Sequence, residues 1–437
     1  MGADIALYML GLLIILVVLG VHIGIALGVV SGLGVYLMMG SVDVAMSIVG
    51  STAYEAIRSH LFAVIPLFVL MGDFVSKSGA ATDLYRICDR ALNKLPGRLA
   101  VATVAGNAVF AAVTGVSIAS AAAFSRVAYP EMIRAGYHRE FALGAVAGSA
   151  CLGMLIPPSI LLIVWAILTE MSVGALFIAG VLPGILLALL FAGWCAFSAW
   201  RNPEIAPRVI VTHEPTQAEA RSELIGGLGI LGLIILVIGG LWGGLFTPTE
   251  AAGFGAMGAL VLGLIKGMRW REVMQAIYNA GKTTAPIMFL LITASMYSRL
   301  LALGGTVNYI SDFFAGLGVA PFTILVIIML IWLLLGMLVD SVSIILLTVP
   351  IFAPIALSLG VDPMAFAVFG ILVIEAGLLT PPFGLLVYTV KASVPDDDVS
   401  LGMIFRGSVP YWILILICAV TVLLVPSLAT WLPSVAL

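Results

Sequence analysis

The stretch Gly153-Met154-Leu155-Ile156-Pro157-Pro158-Ser159 interrupts a long apolar run and returns later as Gly377-Leu378-Leu379-Thr380-Pro381-Pro382-Phe383. Adjacent prolines remove two backbone donors and push the residue before them out of the helical region. Pro157, Pro158, Pro381 and Pro382 are therefore structural breaks, each pair predicting a membrane span split into two half-helices. The stretches are related by a constant offset of 224 residues, and at that offset nine identities fall within 117–162 without a gap. Leu matches count for little in apolar sequence. The matches of Ser117 with Ser341, Pro130 with Pro354, Gly136 with Gly360 and Gly153 with Gly377 make an internal repeat.

Upstream of each Pro pair lies a second break. It reads Thr114-Gly115-Val116-Ser117 in one copy and Val339-Asp340-Ser341-Val342-Ser343 in the other. The apolar segments on either side run to about 13–18 residues, short of the roughly 20 that one crossing needs. A re-entrant hairpin with the break at its tip is predicted in each copy. Broken backbone at membrane depth is tolerated only where protein or a water-filled cavity satisfies it. Carbonyls freed at half-helix C-termini, with Ser and Thr hydroxyls, suit a hard cation such as Na⁺. Half-helix N-termini offer N–H groups to a carboxylate.

Composition fits this setting. The chain has 437 residues, 62% apolar and only 9% charged, with a mean hydropathy of +1.22. A soluble domain carries roughly 25% charged residues, so a cytosolic enzyme, a secreted protein and a disordered scaffold are excluded. The apolar stretches suffice for roughly ten to fourteen passages. The fold class is an all-α polytopic membrane protein. A net charge of −3 offers no basic stripe for nucleic acid. Cys88, Cys151, Cys195 and Cys418 lie far apart without a CxxC pair or a His set, so neither disulfides nor a metal knuckle is indicated. No Lys or Arg precedes Arg58, so the first apolar stretch lacks the basic region of a signal peptide and is expected to remain as a span.

The few cations orient the chain. Arg86, Arg90, Lys94, Arg98, Arg126, Arg134 and Arg139 form one group; Arg201, Arg208 and Arg221 a second; Lys266, Arg269 and Arg271 a third. None occurs between Arg299 and Lys391. The positive-inside rule makes the three groups cytoplasmic and the loops at 300–390 external. Spans are then expected at 4–20, 22–40, 61–79, 175–199, 224–246, 250–266, 283–303 and 408–431, with an interfacial amphipathic piece at 43–59 and both termini external. The two copies of the repeat thus face the bilayer oppositely, an inverted-topology plan common in secondary transporters. Residues 1–200 form the first repeat, with a hairpin at about 97–131 and a broken helix at about 140–172. Residues 201–223 form a cytoplasmic polar linker. Residues 224–437 form the second repeat, with a hairpin at about 321–359 and a broken helix at about 364–394.

The stretches TGVSIASAAA (114–123), GMLIPPS (153–159), FTPTEAA (246–252), GMLVDSVSIILLTVP (336–350) and GLLTPPFG (377–384) resemble those of the large membrane subunit of TRAP (tripartite ATP-independent periplasmic) transporters, in matching order over essentially the whole chain. The resemblance implies an elevator-type fold of the ion-transporter superfamily, in the bacterial inner membrane. It implies a separate small membrane subunit, a periplasmic substrate-binding protein, Na⁺ as coupling ion and a small organic acid as substrate. Relatives often carry consecutive hydroxyls at the first tip, where this chain has Val116 before Ser117. They often carry two Thr after the Asp of the second tip, where this chain has Ser341 and Val342. Candidate sodium ligands are Thr114, Ser117 and Gly153 at the first tip, and Asp340, Ser341 and Thr380 at the second. Candidate substrate contacts are Ser120, Ser159 and Ser343.

Bland readings stand beside these. A membrane Ser commonly bonds its own i−4 carbonyl, and Glu375 is as credible packing helix against scaffold as serving the site. FTPTEAA reads as a capped helix start, with Pro248 and Glu250 in the first turn. His22, His60, His138 and His213 are scattered loop or interfacial residues, and Arg299 and Lys391 suit snorkelling to the interface. No cofactor is indicated. An intramembrane enzyme would need a His beside a membrane Ser or a pair of acids, which the sequence lacks. A channel would call for a charged pore ring. The nearest rival is a stand-alone Na⁺/carboxylate symporter of the same superfamily.

Overall fold

Helix starts follow from capping chemistry. Thr247 accepts the Glu250 backbone N–H while Glu250 takes the Thr247 N–H at 2.8 Å, with Pro248 as first helical residue. Thr216 and Glu219 repeat the device for the helix beginning at Gln217. Each arrangement satisfies backbone donors that a helix end leaves open. In a computed structural model describing residues 2–58, 60–207, 216–306, 309 and 320–436, no strand occurs among the described residues. Arg208 and His213 lie outside them. Seven described helices are long and apolar enough to cross a membrane, among them His60–Lys77, Val173–Arg201, Pro248–Ile265 and Leu401–Leu424. The protein is a multi-pass helical membrane protein.

Both predicted pairs of breaks are present. Arg98–Thr114 stops at Gly115 (φ +63°), passes through extended Val116 and resumes as Ser117–Arg134. Pro321–Gly336 and Ser341–Ser358 flank the second break. In each hairpin the two arms pack on one another. The first broken helix runs Arg139–Ala150, takes a 3₁₀ turn at Cys151–Met154 and restarts as Ile160–Thr169. The second runs Pro363–Gly377 and restarts as Leu385–Ser393. The Pro157–Pro158 and Pro381–Pro382 peptide bonds are both cis.

Three spans differ from expectation. The one placed at 224–246 begins at Gln217, inside the stretch 201–223 read as a linker, where the Thr216–Glu219 capping box starts a helix. The last helix is Leu401–Leu424 rather than 408–431, with a separate helix Ser427–Ala436 beyond it. Pro426 has no N–H to continue the helix, and Val425 before it is extended (φ −128°, ψ 73°). The span placed at 283–303 begins earlier, as Trp270–Gly304, because Glu272 accepts the Arg269 N–H at 2.7 Å and fixes a helix start there. Hydropathy alone cannot see that polar first turn. The amphipathic helix Val42–Arg58 buries only Ala45.

The two modules share a core. Trp165 of the first broken helix meets Trp332 of the second hairpin at 5.9 Å edge-on and Phe366 of the second broken helix at 5.9 Å. Gly370 admits both indoles, since a Cβ there would lie 2.6 Å from Trp165. At one end ion pairs tie helices together: Lys266 with Asp83, Arg90 with Glu223, Arg98 with Asp89 and Arg406 with Glu140. Tyr129 donates to Asp396 at 2.9 Å, and Arg139 stands 3.5 Å away. The Tyr129 hydroxyl first, then the Asp398 N–H and the nearby Arg139, hold the Asp396 carboxyl below its ordinary range. That anchor is complete at neutral pH and is lost only as pH falls through the lowered value.

A close backbone approach joins the second hairpin to the second broken helix. A Cβ on Gly377 would lie 2.6 Å from the Gly336 Cα, and one on Gly336 would lie 2.8 Å from the Gly377 Cα. Gly377→Ala is expected to cost about 1–3 kcal/mol by overpacking, read as a lower unfolding temperature of the purified protein. Gly281→Ala, where the added methyl meets open space in an exposed helix interior, should not lower that temperature.

Candidate transport site at the paired hairpin tips

Each tip is stitched to the break of its own broken helix. The Gly115 carbonyl accepts the Ile160 N–H at 3.3 Å, and the Gly115 Cα sits against the Pro158 carbonyl. Gly153 faces the tip backbone, where a Cβ would lie 2.9 Å from the Val116 carbonyl carbon and 3.0 Å from the Ser117 nitrogen. In the second module the Gly384 N–H donates to the Met337 carbonyl at 3.4 Å. Ile160 and Gly384 stand at the same place in the repeat, 224 residues apart. Carbonyls freed by each break are thus partly satisfied by the facing break, as irregular backbone within an apolar fold requires.

The expected site residues divide into two groups. Several spend their side chains locally. Thr114 donates to the Phe110 carbonyl at 3.0 Å and Thr380 to the Gly377 carbonyl at 2.7 Å. Ser159 donates to the Met154 carbonyl and accepts the Leu162 N–H, capping the second half-helix. Asp340 is exposed and caps the second arm, accepting the Ser343 N–H at 3.0 Å. Others stay available. The Ser117 and Ser120 hydroxyls are buried without a hydrogen-bond partner, and Ser341 and Ser343 are buried.

Glu375 brings the two tips together. It is 2% exposed. Its Oε1 accepts the Ser341 hydroxyl at 2.8 Å, the Ser117 side chain faces the same carboxylate, and Oε2 has no hydrogen-bond partner. Cys151 donates to the Glu375 backbone carbonyl at 3.8 Å. Ser117 and Ser341 are the first residues of the second arms of their hairpins, so the carboxylate sits where two helix N-termini converge. The sequence held one hint of this, a single acid inside the apolar run 363–379. No cluster of three or more His, Cys, Asp or Glu residues that could hold a metal occurs among the described residues.

Paired tips and broken helices around a buried polar centre, within a multi-pass helical shell, define a transporter. The same fold appears among solved structures. The chain resembles the YdaH transporter of Alcanivorax borkumensis with a TM-score of 0.61 at 14% identity, covering 89% of this chain and 88% of that one. It also resembles MtrF of Neisseria gonorrhoeae with a TM-score of 0.57 at 15% identity, covering 87% and 84%. The chain belongs to the family described as Tripartite ATP-independent periplasmic transporter, DctM component, which it matches over residues 10–428. It is 33% identical to the C4-dicarboxylate TRAP transporter large permease protein DctM of Pseudomonas aeruginosa, over 87% of this chain and 88% of the relative. It is 30% identical to the protein of that name from Rhodobacter capsulatus, over 98% and 99%. It is 29% identical to the isethionate TRAP transporter permease protein DctMQ of Oleidesulfovibrio alaskensis, over 87% of this chain and 59% of that longer relative. The chain is a transporter permease and not an enzyme.

Gly153 offers a local test of the seam. Gly153→Ala should push the Val116–Ser117 backbone outward and reduce substrate uptake by at least about tenfold, the scale on which small misplacements near a reacting or binding centre act. The unfolding temperature of the purified protein, measured alongside, should fall by only a few degrees.

Proposed function

We propose that this permease couples Na⁺ influx to uptake of a small organic acid, handed over by a periplasmic binding protein and carried in the bacterial inner membrane beside a small membrane subunit. Membership of a tripartite family supports the partner set, and C4-dicarboxylate relatives support the carboxylate class. The observation that carries the reading is the convergence of both tip serines on one buried centre. In this reading the tips are re-entrant and the two modules are inverted repeats.

The candidate ion ligands are Ser117 with Gly153, and Asp340 and Ser341 with Thr380. Ser120 and Ser343 face the substrate together with the helix N-termini of the tips, whose N–H groups suit a carboxylate. Ion and substrate binding draws the tips onto the broken helices, and the hairpins with their broken helices then move as one body against the remaining helices. A charged cleft of about 580 Å³ opens among the first hairpin, the helix Ala80–Ala91 and the helix that starts at Gln217, lined by Arg86, Arg90, Arg98, Arg126 and Glu131 among others.

Reconstituted vesicles test the reading. Uptake of a C4-dicarboxylate should need an inward Na⁺ gradient, the binding protein and the small subunit together, and removing any one should abolish it. Uptake of free substrate by this chain alone would instead establish a stand-alone symporter. Ser117→Ala and Asp340→Ala, made singly, should each weaken the apparent Na⁺ affinity by about tenfold, a loss of one good ligand interaction.

A further inference from the structure

Three acids are buried in the described structure. Asp83 pairs with Lys266, and Glu223 pairs with Arg90 and lies 3.5 Å from Arg86. Glu375 has no cationic partner among the described residues, although its burial is the most complete of the three. An uncompensated charge in so apolar a place is costly unless something neutralises it. The helix around it is apolar throughout, so no Lys, Arg or His side chain stands within Pro363–Gly377 to do so.

We infer that Glu375 is a ligand of a monovalent cation site shared by the two tips, and that it supplies the site's formal negative charge. The inference rests on the sodium-coupled reading above and deepens it, by adding a residue on the second broken helix to ligands otherwise drawn from the tips. Three groups argue for it. Oε2 is buried and unpartnered. The Ser117 hydroxyl, equally buried and unpartnered, faces the same carboxylate from the first tip. Ser341 holds Oε1 at 2.8 Å from the second tip, which fixes the carboxylate's orientation and leaves Oε2 free. Oxygen ligands from a carboxylate and hydroxyls suit a hard cation. Asp340, the acid that the second tip itself offers, is exposed and engaged as a helix cap. A cation held here would touch both modules at once, so its arrival would fix both tips in one step.

The test is sodium-dependent thermal stabilisation of the full chain purified with its small subunit, in NaCl against choline chloride at equal ionic strength. Wild type should gain stability with Na⁺. Glu375→Gln, which keeps the shape and removes the charge, should respond only at roughly thirtyfold or higher Na⁺ concentration, as expected when one partner of a buried charge pair is lost. Glu375→Asp should respond at an intermediate concentration. An unchanged Na⁺ response in Glu375→Gln would overturn the site while leaving sodium coupling intact. A wild type indifferent to Na⁺ would overturn the coupling itself. Infrared difference spectra of wild type supply a readout that needs no variant. Na⁺ should shift a carboxylate stretching band, and a protonated-carboxyl band that Na⁺ leaves unchanged would assign the neutralisation to a proton and overturn the inference.

Discussion

Everything at the centre of this protein depends on how broken backbone is satisfied away from water. Two hairpin tips and two proline-interrupted helices leave carbonyls and N–H groups without helical partners, a state that apolar surroundings penalise heavily. The structure answers by facing each break with another. Gly115 meets Ile160 and Pro158, and Gly384 meets Met337. Contacts this close require residues without a side chain, which is why Gly153, Gly336 and Gly377 stand on the seams. Beside these seams the Ser117 and Ser120 hydroxyls and the Glu375 Oε2 stay buried without a hydrogen-bond partner, and that remainder is where a ligand can act.

The rest of the fold frames that centre. Trp165, Trp332 and Phe366 lock the first broken helix to the second hairpin and its neighbour. The hairpins and broken helices therefore form one packed unit rather than two independent ones. Ion pairs at the far end join that unit to its neighbours through exposed or half-exposed groups such as Arg406 and Glu140. Pairs of this kind contribute little to stability in water, and they can exchange partners more readily than the aromatic core can.

Legibility in the sequence followed chemistry that is local to the chain. Pro157–Pro158 and Pro381–Pro382 announce breaks because proline acts on its own backbone and that of its neighbour. Thr247, Pro248 and Glu250 announce a helix start for the same reason. The last span was misplaced because hydropathy continues through Pro426 whereas the backbone cannot. The candidate site was only partly visible. Ser117 and Ser341 could be paired by their offset, but their meeting point could not. Glu375 lies 34 residues from Ser341 along the chain and far from Ser117, so its place depends on how both hairpins fold back. Asp340 is legible as the second tip's own acid, and its Oδ1 also caps the second arm, a role that only the backbone conformation reveals.

Cys151 and Glu375 are separated by 224 residues, the offset of the internal repeat, and they touch. A position that meets its own counterpart lies beside the axis relating two copies. The contact runs from the Cys151 thiol to the Glu375 backbone carbonyl. The matched breaks recur at that offset whereas this position does not, so one copy brings a thiol and the other a carboxyl to the meeting point. The two halves thus share their breaks and differ in chemistry where this position meets its own counterpart.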